Sequence, residues 1–199
     1  MIKKVVLATN NPHKLREVRQ IFSEFEVLSL KDCNISHDVI EDSDTFEGNA
    51  LKKAREIANI SGLPTIADDS GIVVEALNGA PGVYSARYSL GDADCDLNNV
   101  DESNNDKLLK NMIGKADRRA RYVCAIAYVD SLGKELAVSG ECHGEVAHGR
   151  SGTGGFGYDT IFFLPQFGCT MASISSDRKN KISHRSKALA DLKELLMEM

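Results

Sequence analysis

Apolar positions along the chain fall into blocks whose period changes. Residues 2–8, apolar from Val5 to Ala8, read as a short buried strand, and Thr9-Asn10-Asn11-Pro12 breaks it. Leu15, Val18, Ile21 and Phe22 then recur at helical spacing. Asn11 suits the N-cap of that helix and Pro12 its first turn, where no amide donor is needed. A second strand is predicted over residues 27–30. Phe46, Ala50, Leu51, Ala54, Ile57 and Ala58 mark one face of a second helix, with Asp44 and Glu47 at capping-box spacing before it and Gly62 and Pro64 after it.

Residues 64–67 read as a short strand, Asp68-Asp69-Ser70-Gly71 as its end, and residues 72–76 as a further extended piece. Residues 78–92 are a glycine-containing loop, 99–105 are polar, and 106–113 look helical. The strongest strand patterns are residues 121–129 and 135–142, separated by Asp130-Ser131-Leu132-Gly133-Lys134 as a hairpin connection. A glycine-rich loop over 149–157, a strand over 161–164 and a C-terminal helix starting near Ser183, with Leu189, Leu192 and Leu196 inward, complete the order. This is an α/β arrangement in which a mixed sheet is expected, in one domain over residues 1–199.

Composition narrows the partners. At 199 residues and 42% hydrophobic the chain can bury a real core. A net charge of −5 removes the bulk positive field that gripping a nucleic acid polymer needs. Five cysteines with no C-x-x-C pair argue against a disulfide framework and a zinc knuckle, and for a reducing, cytoplasmic setting. Lys3 and Lys4 precede only a short apolar run, too short for a signal core, and no stretch is long enough for a membrane partner.

Five polar clusters carry candidate chemistry. Thr9, Asn10, Asn11, Pro12, His13 and Lys14 lie where a strand hands over to a helix, so free amides, the helix dipole and a lysine can meet a phosphate there. Asp68 and Asp69 are adjacent carboxylates that need solvent, a cation or a metal, and magnesium suits such hard oxygens. Glu41 and Lys53 flank and enter the second helix and by themselves read as solvated charges. The run from Gly152 to Gly157 formally matches a dinucleotide fingerprint, but it leads into a strand rather than a helix, which rules that reading out and leaves two open: a flexible binding loop with Phe156 or Tyr158 to stack on a base, and an ordinary long turn. Lys179, Lys181, His184 and Arg185 bring positive charge to the start of a helix, against its dipole, which points to an anion nearby. Each cluster alone is compatible with an ordinary loop or solvated charge. Together they are the ingredients of phosphate chemistry.

The chain closely resembles the inosine/xanthosine triphosphate pyrophosphatase family. The resemblance runs through Thr9-x-Asn11-x-x-Lys14, Glu41, Thr45-Phe46-Glu47-x-Asn49-Ala50-x-x-Lys53-Ala54, Ala67-Asp68-Asp69-Ser70-Gly71, the segment from Leu77 to Tyr88, Gly155-Phe156-Gly157-Tyr158-Asp159 and Lys179-Asn180-x-x-Ser183-His184-Arg185. It implies an elongated, two-lobed α/β homodimer with a mixed central sheet flanked by helices and an active-site groove between the lobes. It implies hydrolysis of ITP, dITP and XTP to the monophosphate and pyrophosphate, with Mg2+ as cofactor. By position, Thr9, Asn10, Asn11, Pro12, His13 and Lys14 would hold the triphosphate and Lys53 would add charge. Glu41 and Asp69 would bind magnesium, with Asp69 the proton acceptor and Asp68 beside it. Ser70 would contact the nucleotide, Phe156, Gly157, Tyr158 and Asp159 would surround the base, and Lys179, His184 and Arg185 would contact the nucleotide.

This chain departs from the family pattern at Thr160, where a proline is usual, at Ser173, where a glutamate is common, and in the unusually acidic, polar stretch over residues 92–105. Two alternatives remain: a Maf-type nucleotide pyrophosphatase and a non-catalytic nucleotide sensor. Ser183-His184-Arg185 favours the purine enzymes over the first, and the intact Asp68-Asp69 pair argues against the second.

Overall fold

Among the described residues, seven strands form one mixed sheet in the order β2-β1-β3-β4-β5-β6-β7. The computed structural model describes residues 3–198. The strands are β1 (Lys3–Leu7), β2 (Phe25–Ser29), β3 (Thr65–Val74), β4 (Arg119–Val129), β5 (Glu135–Val146), β6 (Phe162–Leu164) and β7 (Cys169–Thr170). The helices are α1 (Pro12–Ile21), α2 (Phe46–Ser61), α3 (Val100–Asn111), α4 (Ser176–Ile182) and α5 (His184–Met197). Ile2, included in the predicted first strand, lies outside the described residues. β1 pairs in parallel with β2 and β3, whereas β6 pairs antiparallel with β5 and β7. The mixed sheet expected from the chain is therefore present.

The chain divides into two compact units, one of residues 1–69, 124–140 and 184–199, the other of residues 70–123 and 141–183. In the first, strand alternation sorts the core into two faces. Val5, Leu7, Ile66, Cys124 and Ile126 pack with Val18 and Phe22 of α1 and Leu189, Leu192 and Leu196 of α5. Their neighbours Val6, Ala8, Ala67, Ala125 and Ala127 pack with Ala50, Ala54, Ile57 and Ala58 of α2. Alanines on that second face let α2 lie close to the sheet. The second unit has its own core of Ile72, Val74, Leu108, Met112, Tyr122, Tyr158, Phe162 and Met171.

Several boundaries differ from the sequence pattern. Asp68-Asp69-Ser70-Gly71 does not end a strand: β3 runs through it without interruption. The charged pair disguised the strand, because carboxylates inside a sheet need cations that only the fold supplies. Gly71 is required there, since a Cβ would stand 2.6 Å from the Gly82 carbonyl oxygen and 2.3 Å from Ser85 Oγ. The cap of α2 is Thr45, which accepts from the Gly48 amide, rather than Asp44. α3 begins in the polar stretch at Val100 instead of at residue 106. A short α4, capped by Ser175, precedes α5 and carries Lys179 and Lys181. α1 has the expected Asn11 cap and Pro12 start.

Candidate active site

In the first unit the loop before α1 is braced by its own side chains. Thr9 Oγ1 accepts from the Asn11 amide at 3.1 Å, and Asn11 Oδ1 accepts from the amides of His13 at 2.8 Å and Lys14 at 3.3 Å. Asn10 donates to Asp38 at 3.0 Å. Pro12 is exposed, while His13 and Lys14 are half-buried. The result is a rigid, amide-rich helix start with a lysine in its first turn, a fit for anionic oxygens.

β3 then separates its two aspartates. Strand residues alternate, so Asp68 faces the α1 and α5 side and Asp69 the α2 side. Asp68 is 1% exposed and pairs with Lys14 through one oxygen. Its other oxygen accepts from Arg185 Nε at 2.9 Å and from the Cys124 thiol at 2.8 Å. Arg185 also pairs with Glu17 of α1. Burial pushes the Asp68 carboxyl up, but Arg185 and Lys14 outweigh it and hold the group well below the usual carboxylate range. Burial pulls the Arg185 guanidinium down, and Asp68 more than reverses this.

Asp69 meets a different set. Asn49 Nδ2 donates to its Oδ2 at 3.0 Å, and Lys53 Nζ lies 3.6 Å from its Oδ1. The same Lys53 nitrogen donates to Glu41 at 2.5 Å and to the Asp68 carbonyl at 2.8 Å. Asn49 Oδ1 in turn accepts from the Ser43 amide at 2.9 Å, which pins the segment carrying Glu41. Burial raises the Asp69 carboxyl, Lys53 opposes this, Glu41 adds like-charge repulsion, and the net shift is upward. Burial lowers the Lys53 ammonium, but Asp69 and Glu41 carry it above its ordinary value.

Glu41 and Asp69 thus stand as two hard-oxygen carboxylates close enough to repel, sharing one ammonium. Among the described residues no group of three His, Cys, Asp or Glu forms a complete protein cage. By their chemistry alone, the two carboxylates Glu41 and Asp69 suit a hard divalent cation.

In the second unit Asp159 organises the glycine-rich loop. Its Oδ2 accepts from the Phe156 amide at 3.1 Å and from Lys179 Nζ at 2.7 Å, and its Oδ1 from the Tyr122 hydroxyl at 3.2 Å. Lys179 Nζ also lies 4.7 Å from the centre of the Phe156 ring. Burial, reinforced by Asp159, pushes the Tyr122 hydroxyl well above its usual range, so it stays a donor. Phe156 is half-buried, whereas Tyr158 is buried and donates to the Ser85 carbonyl at 2.8 Å. Phe156 is therefore the ring with open surface.

The predicted clusters are regrouped by the fold. Asp68, Asp69, Lys14, Glu41, Lys53 and Arg185 share one unit and one network. The basic run divides: Lys179 belongs with Asp159 in the second unit, while the buried His184 and Arg185 belong to the first. Ser70 is half-buried within β3. Sequence reasoning missed Asn49, Cys124, Glu17 and Tyr122. Asn49 and Lys53 left one sign, polar residues one helical turn apart beside a buried stripe. Cys124 left none. Of the departures, Ser173 Oγ lies 3.0 Å from Thr170 Oγ1, and the buried Thr160 hydroxyl has no hydrogen-bond partner among the described residues.

Residues 5–195 match the sequence profile of the Ham1 family. A dITP/XTP pyrophosphatase of Geobacter sulfurreducens is 49% identical over 197 residues, covering 97% of this chain and 96% of the relative. A Staphylococcus aureus Ham1 protein superposes with a TM-score of 0.86 at 39% identity, covering 98% of this chain and 99% of that one. A Coxiella burnetii HAM1 protein superposes with a TM-score of 0.87 at 36% identity over the full length of both.

Proposed function

The chain belongs to the Ham1 family, and from that premise we propose that it hydrolyses the non-canonical purine nucleoside triphosphates ITP, dITP and XTP to the monophosphate and pyrophosphate. One observation carries the reading. β3 sets Asp68 against Lys14 of the amide-rich loop on one face, and Asp69 against Lys53 and Glu41 on the other.

The amides at the start of α1 and Lys14 hold the triphosphate. Asp68, paired with Lys14 and Arg185, orients that lysine, and both of its oxygens are engaged by these partners and the Cys124 thiol. Asp69 is the proton acceptor and orients the attacking water, and Asn49 fixes its carboxylate. Lys53 keeps Glu41 and Asp69 together and adds positive charge where the leaving oxygens develop negative charge. Glu41 and Asp69 would hold magnesium, which when bound would supply further charge neutralisation and a more acidic water. Phe156 stacks on the base. Donors among the loop amides meet the purine keto oxygen, and the amino group of adenine would leave such donors unpaired. The chain acts as one catalytic domain, as a homodimer, and in the cytoplasm, where its free cysteines stay reduced.

Purified protein supplied with magnesium and ITP, XTP, ATP or GTP tests this. Pyrophosphate and the monophosphate are the expected products, with the keto purines of the non-canonical nucleotides preferred. Release of single phosphate, or equal rates on all four, would sink the reading.

A further inference from the structure

The C-terminal part of the acidic, polar stretch over residues 92–105 forms the first turns of α3, and those turns grip the glycine-rich loop at both ends. At one end Arg150 Nε donates to Glu102 at 2.8 Å and its Nη2 to Asp106 at 2.8 Å. At the other, the Gly157 amide donates to Asp101 Oδ2 at 3.2 Å, and Asn105 Nδ2 donates to the Gly157 carbonyl at 3.0 Å. Asp101 and Asn105 are one helical turn apart, so a single ridge of α3 brackets both peptide groups of Gly157.

Gly157 has φ +61°, a conformation that glycine reaches without strain but does not by itself hold. The bracket holds it. In a trans peptide the N–H and C=O point in opposite directions. Fixing the Gly157 amide toward α3 therefore turns the Phe156 carbonyl away from it. Fixing the Gly157 carbonyl toward α3 likewise turns the Tyr158 amide away. Asn105 is 0% exposed and its Oδ1 has no hydrogen-bond partner among the described residues. An apolar side chain would avoid that desolvation loss but would give up the bond from Nδ2 to the Gly157 carbonyl.

We propose that Asp101 and Asn105 are positioning residues that set the direction of the loop amides, and thereby the preference among purine bases. The proposal rests on the assignment of residues 156–159 to the base. Asp101 is exposed, so replacing it does not threaten the fold.

Steady-state kinetics on ITP and ATP tests it, with wild type, Asn105→Ala, Asp101→Ala and Asp101→Asn. Both alanine variants are expected to lose about ten-fold in the ITP-over-ATP ratio of kcat/KM, through KM for ITP rather than kcat. Asp101→Asn keeps an acceptor oxygen and is expected to retain most of the selectivity. Alanine variants that lower activity on both nucleotides equally, or leave the ratio unchanged, would overturn the positioning role. Wild type that releases no pyrophosphate from ITP would instead overturn the functional reading. If Asn105→Ala does not fold, Asp101→Ala alone decides.

Discussion

Arg185 donates from Nε to Asp68 Oδ2 at 2.9 Å with the two side chains only 2% and 0% exposed. A pair this dry is not a surface ornament. Removing one partner strands the other charge in the interior with only part of its compensation, from Lys14 for Asp68 or from Glu17 for Arg185, a loss of about 3–5 kcal/mol. Arg185→Met and Asp68→Asn are each expected to lower urea-unfolding stability by about that amount. The double variant should lose less than the sum, because the stranded charge is gone. Losses under about 1 kcal/mol would place the pair in solvent rather than in the core.

Lys53 pairs with both Glu41 and Asp69. Lys53→Met leaves the carboxylates facing each other with less compensating charge. Turnover is expected to fall about 100-fold or more. The rise in Tm on adding magnesium should grow, since the cation then meets less competition. Chelation should abolish turnover in wild type while its far-ultraviolet circular dichroism is retained, and added magnesium should restore activity. A smaller magnesium-induced shift in the variant would remove Lys53 from the metal's surroundings.

Gly155 adopts φ +76°, and a Cβ there would lie 2.0 Å from Asp159 Oδ2. Gly155→Ala must therefore displace the carboxylate that holds Phe156 and Lys179. The expected result is a rise of about ten-fold or more in KM for ITP. Gly62→Ala is the control: φ is +66° but the space around it is open, so it should cost about 1 kcal/mol of stability without changing KM. Equal KM values for the two variants would separate Gly155 from the loop's role.

Cys124 and Cys142 are buried, while Cys33, Cys95 and Cys169 are half-buried. Burial, with the Asp68 charge beside it, pushes the Cys124 thiol well above its usual range. Ellman's reagent should label Cys124 only after unfolding, and mass spectrometry of the labelled native protein reads this directly. Labelling of native Cys124 at the rate of Cys33 would contradict its place against Asp68.

The local elements were legible in the chain because their causes are local. Asn11 and Pro12 start α1 by capping and by needing no donor, and the apolar stripe of α2 follows the helical period. The separate roles of Asp68 and Asp69 were not legible. As neighbours in a polar run they resembled a turn, yet inside β3 the alternation of side chains sends them to opposite faces. What each then meets comes from far along the chain: Cys124 and Arg185 for Asp68, Asn49 and Lys53 for Asp69. The same holds for the basic run, which α4 and α5 divide between two networks. The sequence alone determined which residue types were present for phosphate chemistry and in what order. Only the tertiary structure decided which charge faces which, because burial and the approach of distant segments determine that pairing, and neither is a property of a local stretch of chain.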